Sequence, residues 1–197
     1  MTRRLIAAGL LVCLSCCPLA ARADGKALVG KAAPAADFRD YVTLQGEPAA
    51  LDQLKGKVVL VNYWAIWCPH CKESLPTLRK VAGRYAEKGL TTVSLTRYYK
   101  LHQFDLGKGQ VVRPKQPLTP KEEEASLQAY IKFHRLPHTC VVLDEKQGGD
   151  FSNRFAVSTL PYFMLIDKKG TVRLVLLGYG DKTEAELDRW IKFLLDE

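Results

Sequence analysis

The chain has 197 residues, 47% of them hydrophobic and 25% charged, with a formal net charge of +8. That balance excludes a disordered tract and fits one compact domain with a short additional segment. The positive charge is scattered, with no stripe of Lys and Arg interleaved with aromatics, so no nucleic acid is expected as a partner.

Met-Thr-Arg-Arg leads into an almost wholly apolar run from Leu5 to Leu19, followed by Ala21-Arg22-Ala23. This is the layout of a secretory signal peptide, residues 1–23, with cleavage after Ala23. The run is shorter than the roughly 20 residues a membrane span needs. A retained anchor and a lipoprotein signal using Cys16 or Cys17 are the alternatives. Loss of the leader removes Arg3, Arg4 and Arg22, lowering the charge by three to +5, and removes Cys13, Cys16 and Cys17. Residues 24–197 then keep Cys68, Cys71 and Cys140, too few for a disulfide framework, so the close pair calls for redox chemistry or metal binding.

From Leu28 to Leu54 the sequence is an Ala- and Gly-rich lead-in with a short strand-like piece at Tyr41-Val42-Thr43-Leu44. Val58 to Trp64 is a nearly continuous apolar run, as in a strand buried on both faces of a sheet. After Trp67 the spacing turns helical, with Leu75, Leu78, Val81 and Tyr85 on one stripe, Pro76 as an expected kink and a stop at Lys88-Gly89. Leu90 to Thr96 is a second strand. The segment from about 97 to 118 has little periodicity and reads as an insertion. Thr119-Pro120-Lys121-Glu122 is a strong helix start, with the helix running to about Phe133 and the Glu122-Glu123-Glu124 run read as a favourable first turn. Thr139 to Leu143 reads as a buried strand, Asp150 to Phe155 as a short helix, and Tyr162 to Ile166 with Val172 to Leu177 as a hairpin turning at Lys168-Lys169-Gly170. A final amphipathic helix spans about Thr183 to Leu195.

Two cysteines separated by two residues, where a buried strand passes into a helix, form the signature of a dithiol redox centre. Cys68 is expected at the helix N-terminus with its sulfur facing solvent, where unpaired N–H groups and the helix dipole stabilise a thiolate. Cys71, one turn on, is sheltered and resolves the mixed disulfide that Cys68 forms. Pro69 and His70 tune the pair. A histidine here favours the thiolate, a good leaving group, and so a comparatively oxidising disulfide. Metal binding would need more ligands than one such pair supplies. His134, His138 and Cys140 are the residues that could complete a site, and a non-catalytic periplasmic copper-handling or binding module is the alternative function. Cys140 itself reads as a small buried apolar residue.

The run from Gly56 to Cys71, with Val29-Gly30-Lys31-Ala32-Ala33-Pro34 and Leu160-Pro161-Tyr162-Phe163-Met164-Leu165-Ile166-Asp167, resembles the TlpA/ResA-like branch of the thioredoxin superfamily. The resemblance implies an α/β thioredoxin-like fold: a central mixed sheet flanked by helices, with an N-terminal extension and an insertion after the second core strand. It implies a cis peptide at Leu160-Pro161 that, with Trp67, lines a substrate groove. It also implies thiol-disulfide exchange with exported proteins, in cytochrome c maturation or general envelope redox homeostasis, in the periplasm or at the inner membrane. No cofactor and no metal are expected. The partners would be protein thiols or disulfides and a membrane-linked electron donor or acceptor, with the chain a monomer. Asn62 stands where thioredoxin itself has a buried aspartate, as is common in this branch, and so cannot serve as a titrating proton relay. Two positions depart from the branch's pattern. Ser74 stands where many relatives carry glutamate, with Glu73 one position early and about 100° round the helix. Tyr162 follows the proline where threonine is frequent. The Pro-His dipeptide resembles that of the oxidant DsbA, which leaves the direction of electron flow open.

Overall fold

The computed structural model describes residues 24–197. The leader reading and Cys13, Cys16 and Cys17 lie outside the described residues. A six-stranded sheet has the order β1-β6-β3-β2-β7-β8. Its strands are β1 (Val42–Gln45), β2 (Val58–Tyr63), β3 (Leu90–Arg97), β6 (Thr139–Leu143), β7 (Tyr162–Ile166) and β8 (Val172–Leu177). β3 runs parallel to both β2 and β6, while the β1–β6, β2–β7 and β7–β8 pairs are antiparallel. The sheet is therefore mixed, with β2 and β3 at its centre.

All six residues of β2 are buried, and they alternate between two apolar cores as side chains on a pleated strand must. Val58 and Leu60 face the core formed with helices α1 (Pro69–Tyr85), α2 (Pro120–Phe133) and α4 (Thr183–Asp196). Val59, Val61 and Tyr63 face the second core, which is closed by Phe151 of α3 (Glu145–Arg154) and Phe155 just after it, and by Phe38, Tyr41, Leu51 and Leu54 of the lead-in. Each fully buried Val, Leu or Phe stabilises this arrangement by about 1.5–3 kcal/mol. The lead-in also borders the sheet edge, where the Gly30 N–H donates to Val172 O at 2.8 Å and the Val172 N–H to Lys31 O at 2.9 Å.

Pro69 occupies the first helical position of α1 and Pro76 lies inside the helix, which ends in a 3₁₀ turn over Ala86–Lys88 and Gly89 at φ 104°. Only a residue without a Cβ adopts that left-handed stop at little cost. At α2 the Thr119 hydroxyl and the Glu122 carboxylate cap one another's backbone N–H groups, as the sequence pattern predicts. No helix among the described residues is long and apolar enough to cross a membrane.

Two segments differ from the sequence expectation. α3 begins at Glu145 and not at Asp150, because Asp144 and Gln147 form a capping box that outweighs the break expected from Gly148-Gly149. Within the segment read as aperiodic, β4 (Gln103–Asp105) and β5 (Gln110–Val112) pair as an antiparallel hairpin. Its anchor is Phe104, buried edge-on against Tyr130 at 5.3 Å between ring centres, with its N–H donating to Ser126 Oγ at 2.7 Å.

Candidate active site

Cys68 is the N-cap of α1, and its Sγ accepts the Cys71 N–H at 3.2 Å. The sulfur thus receives a backbone donor at the positive end of a helix of 17 residues, where negative charge is stabilised. Both cysteines, like Cys140, are free thiols. Cys68 is less open than the sequence reading has it, with 6% of its surface exposed against 2% for Cys71. It is reached from an open groove of about 440 Å³ lined by Trp67, Arg97, Tyr99, Gly148 and Leu160 among others. Cys71 does not line that groove. Burial, then the hydrogen bond to Cys68, pushes the Cys71 thiol well above its ordinary range. The two sulfurs are chemically unequal: one borders the groove and accepts a hydrogen bond, the other is buried and holds its proton.

Of the other expected site residues, Trp67 and Leu160 line the groove beside Cys68, whereas Pro161 is buried and does not line it. Pro69 supplies no N–H at a position where none is needed. The His70 ring is exposed and its Nδ1 lies 2.9 Å from Glu73 Oε2, so Glu73 engages the dipeptide histidine. Such an exposed pair contributes little to stability. The Ser74 hydroxyl donates to Cys71 O at 2.7 Å. The Leu160–Pro161 peptide is cis, and Leu160 borders the groove. Trp64 is a core residue stacked on Tyr130, whereas Trp67 is 41% exposed and meets the Tyr99 ring edge-on at 5.3 Å.

The sequence reading missed what holds that wall in place. Glu123 is buried, and its carboxylate accepts the N–H groups of Tyr99 at 2.7 Å and Lys100 at 2.9 Å. Desolvation raises its pKa despite those two bonds, which act in the opposite direction. Glu124 accepts the Tyr98 hydroxyl at 2.7 Å. The acidic run is therefore more than a solvated first turn: it ties the strand end that carries Tyr99. The available signal was position, since Glu123 shares the α2 stripe of Leu127, Tyr130 and Ile131, where a charge needs a partner.

Asn62 is buried at the sheet centre, donating to Tyr162 O at 3.2 Å and accepting from the Ser94 hydroxyl at 3.2 Å. Ser94 Oγ also meets His138 Nε2 at 2.8 Å. This chain links β2, β3 and the start of β6 to the residue after the cis-proline. Burial alone lowers the His138 pKa to about 4 and raises the Cys140 thiol to about 12, so both are neutral near pH 7. His134 instead packs its ring 4.4 Å from that of Tyr130. His134 and His138 are thus committed to different neighbours, and no group of three or more metal-ligating side chains forms among the described residues.

Residues 28–191 match the model of the Redoxin family. The chain is 26% identical over 169 residues to the thiol-disulfide oxidoreductase ResA of Bacillus thuringiensis, covering 86% of this chain and 80% of that one. It is 28% identical over 158 residues to the thioredoxin-like protein YneN of Bacillus subtilis, covering 80% and 76%. Among solved structures, a thiol:disulfide interchange protein of the thioredoxin family from Chlorobium tepidum superposes with a TM-score of 0.58 at 23% identity, covering 83% of this chain and 95% of that chain. With its mixed sheet, its helix-capping cysteine and its cis-proline, the chain belongs to the Redoxin family and is a TlpA/ResA-like thiol-disulfide oxidoreductase of thioredoxin fold.

Proposed function

We propose that the protein exchanges disulfides with exported polypeptides in the periplasm through the Cys68-Pro69-His70-Cys71 centre, residues 1–23 serving as its export signal. The observation that carries this reading is the inequality of the two sulfurs. Cys68 borders the groove and accepts the Cys71 N–H, while Cys71 is sealed beneath it. In the reducing direction the Cys68 thiolate attacks a substrate disulfide, forming a mixed disulfide as the substrate S–S bond breaks and one substrate thiolate departs. Cys71 then loses its proton and attacks Cys68 Sγ. The Cys68–Cys71 disulfide forms and the second substrate thiolate leaves, so two electrons pass to the substrate. The oxidising direction is the same sequence reversed.

Trp67 and Leu160 give the groove an apolar rim suited to an extended chain around the reacting cysteine, with the cis Leu160–Pro161 peptide directly behind it. Pro69 and His70 set the pair's potential. Cytochrome c maturation or general envelope redox homeostasis would employ this chemistry, with a membrane-linked electron donor or acceptor restoring the pair and the chain working as a monomer. The test is trapping. Cys71→Ser is expected to accumulate a dithiothreitol-reversible mixed disulfide with a reduced-and-reoxidised model protein, and Cys68→Ser to form none. A trap that forms equally well with Cys68→Ser contradicts the assignment. Stoichiometric copper on a pair that never oxidises would favour a copper-handling module.

A further inference from the structure

Given the disulfide-exchange reading above, we propose that Arg97 selects substrate segments carrying an acidic side chain next to the reacting cysteine. The groove beside Cys68 holds one cationic residue, Arg97, and no Asp or Glu among its lining residues. Its other polar side chains are the hydroxyls of Tyr63, Tyr99, Ser152, Ser158 and Thr159. Arg97 forms no ion pair among the described residues. A guanidinium without a carboxylate, bordering a cleft that receives a polypeptide, attracts an anion from that polypeptide.

The side chain is held in this position by three elements. Its backbone is the last residue of β3, in register with Leu143 of β6. Its stem lies against the glycine face of α3, where a Cβ on Gly148 would stand 3.0 Å from Arg97 Cδ and 3.1 Å from Cβ. Its guanidinium sits 4.9 Å from the centre of the Tyr99 ring. Tyr99 is itself fixed by Glu123 and braced against Trp67. Burial raises the Tyr99 hydroxyl to about 12, so the residue beneath the guanidinium is neutral and adds no competing charge near pH 7. The buried carboxylate of Glu123 is spent on two backbone N–H groups and not on Arg97.

The test uses the full chain carrying Cys71→Ser, so that only the first exchange step is read. The probes are two short peptides, each with one cysteine joined through a disulfide to thionitrobenzoate and flanked by aspartates in one and lysines in the other. Attack of the Cys68 thiolate on the peptide sulfur forms the mixed disulfide, breaks the probe's S–S bond and releases coloured thionitrobenzoate with the electron pair. The aspartate probe is expected to react ~3- to 10-fold faster, a ratio that shrinks as salt screens the charges. Arg97→Gln is expected to bring the ratio close to one and Arg97→Lys to keep its direction, with thermal melting confirming that both variants are folded. A ratio near one in the Arg97 protein, or one that survives in Arg97→Gln, overturns the assignment of Arg97 while leaving disulfide exchange intact. No thionitrobenzoate release from either probe overturns the exchange reading together with it.

Discussion

Removing the Glu123 carboxylate is expected to loosen the active-site wall and destabilise the fold. In Glu123→Ala the Tyr99 and Lys100 N–H groups lose their acceptors at 2.7 and 2.9 Å. Each partly buried donor left unpaired costs about 1–3 kcal/mol. Relief from burying a carboxylate offsets part of that sum, which leaves a net loss of about 2–3 kcal/mol. For a chain of this length such a loss lowers the melting temperature by roughly 5–10 °C. Glu123→Gln keeps one acceptor and turns an amide donor toward the second N–H, so it is expected to lose roughly half as much. Urea denaturation followed by circular dichroism measures the cost. The first step of exchange in the Cys71→Ser background reports whether the Tyr99–Trp67 wall has shifted. A cost below about 1 kcal/mol for Glu123→Ala would refute the view that this carboxylate anchors the strand end.

His138 gives a pH prediction. Burial holds its imidazole neutral, with a folded pKa of about 4 against an ordinary value of 6.5. As pH falls the unfolded chain takes up the proton first, so this group's stabilisation is complete above about pH 6.5 and is lost as pH falls toward 4. At about 1.4 kcal/mol per pH unit the loss reaches about 3 kcal/mol, and His138→Gln is expected to flatten the denaturation midpoint over that window. His102 and His134, shifted the same way by burial, leave a shallower slope behind; an unchanged slope in His138→Gln would contradict the account. Gly148→Ala places a methyl against the Arg97 stem; overpacking of about 1–3 kcal/mol outweighs the helix gain of up to about 1 kcal/mol, so a small net destabilisation and a weakened preference for the aspartate probe are expected. Leu78→Ala, in the centre of the α1 core, is expected to cost about 2–5 kcal/mol in the same denaturation assay.

How much of this was legible in the sequence depended on the length of each signal. β6, β7 and β8 appear with the boundaries their apolar runs predict: β6 and β7 are paired on both sides, and β8, at the sheet edge, is closed by the turn at Lys168-Lys169-Gly170 and by Gly178. The start of α2 was legible because Thr119, Pro120 and Glu122 carry three independent capping cues. The first half of α3 was not, since Gly148-Gly149 reads as a turn, whereas Gly148 is small because Arg97 and Tyr63 pack against it. Strands of three residues, like β4 and β5, are too short for a period of two to register. At the site, Cys68 and Cys71 were marked by their spacing and by their place between a buried strand and a helix, and Leu160–Pro161 by resemblance. Glu123, Arg97 and the Asn62–Ser94–His138 chain join residues distant in sequence, so only the folded sheet brings their partners together.

The central claim is that Cys68 and Cys71 form a working redox pair, and their equilibrium reduction potential tests it most directly. The full chain would be equilibrated in glutathione and dithiothreitol buffers, with a Cys68→Ser control and metal content measured on the same sample. The account predicts a reversible two-electron couple, absent in the control and free of stoichiometric metal. Its potential should lie between the thioredoxin and DsbA values of about −270 and −120 mV, its place in that range fixing whether the protein reduces or oxidises its substrates. No reversible couple, or zinc or copper bound one per chain at the pair, would contradict it.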